Sequence, residues 1–129
     1  MPTRRQEKVA RIVREVVSDA IASHLSDPRL KGLISVTRVE MTPDLRTADV
    51  YLSFFDQSEN EKARGLEAMN HARRRIQGLL GDAWESRYCP MLRFHSDVQF
   101  QKTLETMRLI DEVANERQNG IAGPSEQDD

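Results

Sequence analysis

The stretch TPDLRTADVYLSF, residues 42–54, decides the fold of this chain. Over residues 48–54 apolar and polar side chains alternate strictly, which is the period of a β-strand with one buried face. Pro43 and Asp44 precede this strand, and both residue types favour tight turns. Residues 33–41 alternate as well, with one phase change that is typical of either a β-bulge or a twist in the strand. Two strands are therefore predicted to pair as a hairpin around the turn.

Helical spacing flanks the hairpin on both sides. Apolar residues recur every three or four positions over 4–25, and Thr3 with Gln6 has the pattern of a capping box. The same spacing returns over 61–83. Asn70 lies inside this second segment, and Asn adopts the left-handed conformation more readily than most residues. We therefore expect a break at Asn70 that divides the segment into two helices.

A third strand and a last helix complete the pattern. The apolar residues Leu92, Phe94 and Val98 indicate the strand, and 102–116 has the spacing of an amphipathic helix. The order α-β-β-α-α-β with an extra C-terminal helix predicts an α+β fold, with a three-stranded sheet and helices on one face. Residues 118–129 hold too few apolar side chains to order themselves and are predicted to form a disordered acidic tail.

Composition excludes several classes of protein. The 129 residues suffice for one domain. No apolar run approaches the roughly 18 residues that a membrane helix needs, and the N-terminus lacks the apolar core of a signal peptide. The single cysteine, Cys89, cannot form an internal disulfide and favours a reducing compartment. We therefore expect a cytoplasmic protein without a membrane partner.

Chemically reactive residues are sparse. His24, His71 and His95 lie far apart along the chain, and none stands at metal-ligand spacing from Cys89. Cys89 precedes a proline at a predicted helix end, where a half-buried thiol is the ordinary role. The sequence thus predicts no cofactor, no metal and no catalytic residue. An enzyme that uses Cys89 or a histidine is the less favoured alternative.

The formal net charge of −2 conceals an uneven distribution. Residues 111–129 carry six acidic side chains and one basic one, whereas residues 1–110 carry 18 basic and 15 acidic ones, a balance of +3. Solvated helix faces often carry such charge runs. One run, however, has no acidic neighbour between Glu67 and Asp82 and would follow a helix start after Asn70, where backbone N–H groups favour phosphate. The two basic clusters are Arg4, Arg5, Lys8, Arg11 and Arg14 near the N-terminus, and Arg73, Arg74 and Arg75 in the second helical segment.

Four short motifs stand in order along the chain: Asp27-Pro28-Arg29, VTRVE at 36–40, DLRTADVYLS at 44–53 and PMLRFHSD at 90–97. Together they resemble the ribosome-binding factor A family, which assembles the bacterial small ribosomal subunit. The resemblance extends from about Arg4 to Ile110. It rests on all four motifs at their mutual spacing, and the third is the most specific of them.

The resemblance implies a type II KH-like domain, which we expect to cover residues 1–117 and to be followed by the tail. The family has an Ala-x-Gly kink between two central helices. Ala68, Met69 and Asn70 occupy that place here, so Asn70 stands where the family has glycine. The residues predicted to bind RNA are Arg4, Arg5, Lys8, Arg11, Asn70, Arg73, Arg74 and Arg75.

The resemblance also implies binding rather than catalysis. Members of this family bind the immature 30S small ribosomal subunit, support late maturation of the 5′ end of 16S rRNA, and matter most in the cold. The implied partners are the 30S subunit, 16S rRNA and a small-subunit maturation GTPase, and the expected state is a monomer. The alternative is a KH-like module that docks acidic protein partners without touching RNA.

Overall fold

The computed structural model describes residues 2–30, 34–55, 57–85 and 88–122 of the chain. Two compact units divide it, Met1–Asp97 and Val98–Asp129. The first unit holds two helices and three strands, and the second holds one helix. In chain order the elements are α1 (Arg4–Ser23), β1 (Ile34–Met41), β2 (Thr47–Phe54), α2 (Glu59–Ala83), β3 (Met91–Ser96) and α3 (Val98–Ala122).

The sheet has the order β1-β2-β3, with β2 in the centre. β1 and β2 pair antiparallel, and β2 and β3 pair parallel. The predicted hairpin is confirmed. The register shifts between Val36 and Arg38, so of the two alternatives for the phase change in β1 the structure has the β-bulge. The turn between the strands contains Leu45, which has a φ of 61°. The Asp44 carboxylate accepts hydrogen bonds from the Thr42 hydroxyl (2.6 Å) and the Arg46 backbone N–H (3.1 Å), which lower the pKa of Asp44.

The core lies on one face of this sheet. α1 packs on β1 and β2, α2 packs on β3, and the two helices contact each other. Both helices begin with a capping box, Thr3 with Gln6 and Ser58 with Glu61. The capping box predicted for Thr3 is thus confirmed. The largest fully buried side chains are Val13, Val17, Val50, Leu52, Met69, Ile76, Leu80, Pro90 and Leu92.

α2 is one continuous helix, and the predicted break at Asn70 was wrong. In the part of the chain that is described, Leu45 is the non-glycine residue with a positive φ. Asn tolerates the left-handed conformation but does not impose it. Met69 before this position and Ile76 after it are both fully buried, and an unbroken helix keeps them on one face against the sheet. The observed order is α-β-β-α-β-α, and the α+β class with a three-stranded sheet is confirmed.

The C-terminal helix begins earlier and ends later than the sequence indicates. Val98, expected in the third strand, is the first residue of α3, and the helix continues to Ala122. Residues 118–122 of the predicted tail therefore belong to α3. Residues 123–129 lie outside the described part, and the boundary of the predicted domain at residue 117 stays a prediction.

Gly65 allows α2 to pack closely on the end of β2. A Cβ atom at this position would lie 2.6 Å from Cε1 of Phe54, whose ring is buried in the core. Gly81, near the end of the same helix, has nothing within 4 Å of such an atom. The two glycines therefore differ in what a methyl group would meet.

We predict that Gly65→Ala lowers the free energy of unfolding by about 1–3 kcal/mol, because overpacking against Phe54 outweighs the better helix propensity of alanine. Gly81→Ala is the matched control and should raise the free energy of unfolding by up to about 1 kcal/mol. Urea denaturation of both variants and the wild type provides the measurement. Equal stabilities of the two variants would show that the Phe54 ring moves aside freely.

Candidate nucleic-acid interface

The arginines of the first unit differ in whether a carboxylate neutralises them. Arg29, Arg38 and Arg93 each form ion pairs within the fold. Because a neighbouring carboxylate offsets the charge of each guanidinium, these three side chains add less to the positive potential of the surface than an unpaired arginine does. Their carboxylate partners are Asp27 and Glu67 for Arg29, Glu40 and Asp97 for Arg38, and Asp49 for Arg93.

Arg29 joins the loop after α1 to the middle of α2. Its Nη2 atom lies 2.7 Å from Oδ2 of Asp27 and 2.9 Å from Nδ1 of His71, and its Nη1 lies 3.1 Å from Oε1 of Glu67. The hydrogen bonds from the Arg29 side chain and backbone lower the pKa of Asp27 to about 2. The Asp27-Pro28-Arg29 motif thus has a structural role, which its sequence did not indicate.

On the face of the sheet opposite the core, side chains from neighbouring strands stack on one another or form ion pairs. The Arg38 guanidinium lies 3.9 Å from the centre of the Tyr51 ring, and Tyr51 stacks on His95 at 4.9 Å between ring centres. Asp49 accepts hydrogen bonds of 2.9 and 3.1 Å from Arg93, and its Oδ1 lies 2.8 Å from Nε2 of His95. Burial raises the pKa of Asp49, but the bonds from Arg93 and His95 outweigh it and lower that pKa overall. The cations on this face are therefore compensated.

The predicted N-terminal basic cluster lies exposed on α1. Within the described residues four of its five side chains, those of Arg4, Arg5, Lys8 and Arg11, have no hydrogen bond or ion pair. Arg4, Lys8 and Arg11 follow the i, i+4, i+7 spacing and so share one face of the helix. Arg5 points elsewhere and lines a groove with the hairpin turn and Trp84. Arg14 is turned towards the sheet, where its Nη2 donates to the Val36 carbonyl oxygen at 3.2 Å.

The sequence predicts a helix N-terminus just before the three arginines Arg73, Arg74 and Arg75. In the structure they lie in the middle of α2 instead. All three side chains are exposed, and none has an ion pair or hydrogen bond among the residues that the structure describes. Arg73 and Arg74 line a groove of about 610 Å³ between α2 and the start of β3, whereas Arg75 does not line it. A turn of about 100° per residue separates neighbouring side chains, which explains why Arg75 leaves the groove.

The predicted kink residues take two different places. Ala68 and Met69 are fully buried in the core, so their role is packing against the sheet. Asn70 is exposed and lies one turn before Arg74 on the same side of α2. The structure therefore brings Asn70 near the arginine-lined groove but places Ala68 and Met69 away from solvent.

Gln77 connects the two sides of the groove between α2 and β3 through hydrogen bonds. The sequence analysis did not identify this residue. Its side-chain Nε2 donates to the Pro90 carbonyl oxygen at 2.6 Å, and its Oε1 accepts from the Leu92 backbone N–H at 3.0 Å. These bonds tie α2 to the start of β3. Gln77 has this role because α2 packs on β3 in a position that places Gln77 beside Pro90 and Leu92. No local pattern in the sequence indicates that position.

Cys89 and the histidines do not form a reactive centre in the described structure. Burial raises the pKa of the Cys89 thiol, and a hydrogen bond from Gln77 only partly opposes this effect. Over residues 2–30, 34–55, 57–85 and 88–122, no group of three or more His, Cys, Asp or Glu side chains could hold a metal ion. No described helix has the length and apolar character needed to cross a membrane.

Two helices packed on one face of a three-stranded sheet define a small α+β domain, and exposed arginines without a carboxylate partner in the described structure lie on the outside of its helices. Residues 5–110 match the family model described as ribosome-binding factor A. The chain belongs to this family, and the resemblance inferred from the four motifs is confirmed.

Named relatives agree with this assignment. Ribosome-binding factor A of Thermomicrobium roseum is 38% identical over 118 residues, which cover 92% of this chain and 90% of the relative. The crystal structure of ribosome-binding factor A from Thermus thermophilus matches with a TM-score of 0.61 at 26% identity, over 70% of this chain and 93% of that chain. A homology model of the Thermus thermophilus factor, fitted into a cryo-EM map of a 30S complex, matches with a TM-score of 0.54 at 26% identity, over 74% of this chain and 93% of that chain.

The bond between Asp27 and Arg29 predicts a pH dependence of stability. The pKa of Asp27 is about 2 in the folded protein against an ordinary value of 3.8. A lowered pKa stabilises the fold above the ordinary value, and this contribution disappears as the pH falls through the folded value. We expect the stability difference between the wild type and Asp27→Asn to be constant above about pH 5 and to shrink as the pH falls towards 2.

Urea denaturation at a series of pH values measures this difference. Asp82→Asn is the control, because Asp82 is exposed and has no hydrogen bond within the described residues. The free energy of unfolding of Asp82→Asn should change with pH in the same way as that of the wild type. A difference between the wild type and Asp27→Asn that stays constant down to pH 2 would show that the ion pair does not stabilise the fold.

Proposed function

We propose that this protein binds the 30S small ribosomal subunit through 16S rRNA and assists late maturation of that RNA, including processing of its 5′ end. The observation that carries the proposal is the set of exposed basic side chains on α1 and α2 that have no carboxylate partner in the described structure. Membership of the ribosome-binding factor A family and the relative fitted into a 30S complex support it.

The chemistry of the two clusters suits RNA backbone. Arginine presents planar donors that can hold a phosphate through two hydrogen bonds. Structured RNA is recognised largely through its shape and its phosphates, with little reading of bases inside a helix. The balance of +3 over residues 1–110 is modest. We therefore infer that specificity comes from fitting the assembled subunit, since general attraction to naked RNA would be weak.

The proposal assigns the protein a binding role without a catalytic step, in line with the names of its relatives. We infer a type II KH-like use of the first unit, in which α2 serves as an unbroken counterpart of the helix pair. Family membership further suggests a cytoplasmic monomer that a small-subunit maturation GTPase helps to release. Cold conditions would raise the need for it, because mispaired RNA helices rearrange slowly at low temperature.

The first test concerns the exposed face of α1. We expect the triple variant Arg4→Gln, Lys8→Gln, Arg11→Gln to bind purified immature 30S subunits at least tenfold more weakly at low salt. Each lost phosphate contact should reduce the slope of log affinity against log salt by about 0.7–0.9, so the slope should fall by about 2–3. Co-sedimentation over a salt series measures both quantities.

The double variant Arg93→Gln, Asp49→Asn is the control, because it removes an exposed arginine together with its carboxylate partner and leaves the net charge unchanged. It should bind like the wild type. Failure of the wild-type protein to co-sediment with 30S subunits at low salt would overturn the proposal. Nuclease-resistant binding of the same surface to a purified acidic protein would favour the alternative of a protein-docking module.

The second test concerns maturation in the cell. A strain lacking this gene should grow slowly in the cold and accumulate 16S rRNA with an unprocessed 5′ end. The wild-type gene should restore both properties, and the triple α1 variant should restore them poorly although it folds. Primer extension on ribosomal RNA gives the readout. Complete rescue by the triple variant would show that maturation of 16S rRNA does not require the basic face of α1.

A further inference from the structure

We propose that a groove at the β1–β2 turn docks a segment of a partner protein that carries acidic side chains and an aliphatic one. The groove lies between this turn, the start of α1 and the end of α2, and its volume is about 590 Å³. We name it the turn groove; its lining includes Arg5, Val9, Leu45, Arg46, Trp84 and Tyr88. This role goes beyond the proposed function, because the ligand is a protein segment and not RNA.

The conformation of Leu45 is the main observation behind the turn groove. Its φ of 61° lies in the left-handed region, which favours glycine and asparagine over a bulky residue. Core packing does not account for a leucine at this place, because its side chain is neither in the hydrophobic core nor among the side chains packed against it. The side chain lines the turn groove instead. A strained residue whose side chain is held at a surface groove points to a ligand.

The charge of the turn groove favours an acidic ligand. Arg5 and Arg46 are exposed, and neither guanidinium has an ion pair or a hydrogen bond among the described residues. The one carboxylate among the described lining residues, that of Asp44, already accepts two hydrogen bonds within the turn. Two positive charges therefore face one negative charge. A ligand carboxylate at either arginine would form charge-assisted hydrogen bonds without breaking an existing ion pair.

Apolar and aromatic side chains form much of the remaining lining. Val9 is 9% exposed, Trp84 is partly buried, and Tyr88 is 73% exposed. Together with Leu45 they offer a surface for an aliphatic side chain of the ligand. Tryptophan, tyrosine and arginine are the residue types that contribute most to the binding energy of protein–protein interfaces. The turn groove combines all three types, so its composition suits a protein segment.

An RNA strand fits the turn groove less well than a peptide does. RNA carries a phosphate on every nucleotide, so a strand that crosses the groove would bring phosphates close to Asp44. Hydrogen bonds from the Thr42 hydroxyl and the Arg46 backbone lower the pKa of Asp44, which is therefore ionised at neutral pH and repels them. A peptide can place acidic side chains opposite the arginines and a neutral residue opposite Asp44.

The first experiment uses Trp84 as the probe, because it is the only tryptophan of the chain and lines the turn groove. The ligand is a short synthetic peptide that repeats the sequence Glu-Leu-Glu. We expect a saturable change in the fluorescence of Trp84 when this peptide is titrated into the full chain. The same peptide with Gln in place of Glu, or with Ser in place of Leu, should bind about tenfold more weakly.

The second experiment changes the charge of the turn groove. Arg5→Gln and Arg46→Gln should each lower the affinity for the Glu-Leu-Glu peptide by about tenfold, because each removes a partner of a ligand carboxylate. Arg64→Gln is the matched control, since Arg64 is an exposed arginine outside the turn groove. This control should bind the peptide like the wild type. Melting temperatures of the three variants show that the fold is intact.

The third experiment removes the aliphatic side chain of the turn. Asparagine accepts the left-handed conformation readily, so Leu45→Asn should keep the melting temperature of the wild type. We expect it to bind the Glu-Leu-Glu peptide about tenfold more weakly, because the apolar contact is lost. Its binding to 30S subunits should equal that of the wild type, since Leu45 lies outside the basic face of α1.

The turn groove is not a peptide site if the peptide causes no saturable fluorescence change, or if Arg5→Gln and Leu45→Asn bind the peptide as well as the wild type does. Equal affinity of the peptide with Ser in place of Leu would show that no aliphatic side chain is recognised, contrary to the proposal. A single-stranded RNA oligonucleotide that causes the same change, lost in Arg5→Gln, would make the groove a nucleic-acid site and overturn the proposal. Co-sedimentation of the wild type with 30S subunits tests the proposed function separately.

Discussion

The burial of one face of β2 is the constraint on which the rest of the first unit depends. Ala48, Val50, Leu52 and Phe54 point to the same side and are all buried, and β2 is the strand that pairs with both neighbours. A slip of one residue would expose all four side chains at once. The register of the whole sheet is therefore determined by this strand, and α1 and α2 pack on the face that it creates.

The same register organises the opposite face of the sheet. Tyr51 is paired with Arg38 on one side and with His95 on the other, and Asp49 is paired with Arg93. The bulge between Val36 and Arg38 shifts the register so that Arg38, rather than Thr37, lies opposite Tyr51. This irregularity in β1 thus places Arg38 over the Tyr51 ring, while the β2–β3 register places Arg93 beside Asp49 and His95 beside Tyr51. The basic side chains without partners are left on the helices.

In the described structure, basic side chains without a carboxylate partner lie on α1 and α2. We therefore consider the helices, and not the open face of the sheet, as the candidate binding surface. A count of charges treats all arginines alike, but a guanidinium held by a carboxylate contributes little to a binding surface. Arg73 and Arg74 are adjacent to Arg75 in sequence, yet of these three only Arg73 and Arg74 line the groove between α2 and the start of β3. The chain belongs to the ribosome-binding factor A family, and we therefore propose that this surface binds the ribosome.

Several elements could be predicted because their signals are local. The hairpin, its bulge and the cap at Thr3 each depend on a few consecutive residues, and all are present in the structure. The break at Asn70 was wrong because local tolerance of a conformation does not create it when core packing favours a straight helix. Because α2 is continuous, no helix begins after Asn70, and Arg73 lies in the middle of α2. The phosphate site expected at a helix N-terminus is therefore not present there.

The sequence by itself determined the α+β class, the central hairpin, the family and the two basic clusters. These follow from periodicity, turn chemistry and motif order, which are properties of neighbouring residues. Only the tertiary structure decided which arginines are compensated, which of them line one groove, and that Gln77 ties α2 to β3. Those facts depend on contacts between residues far apart in the chain, and such contacts exist only once the sheet register and helix packing are set.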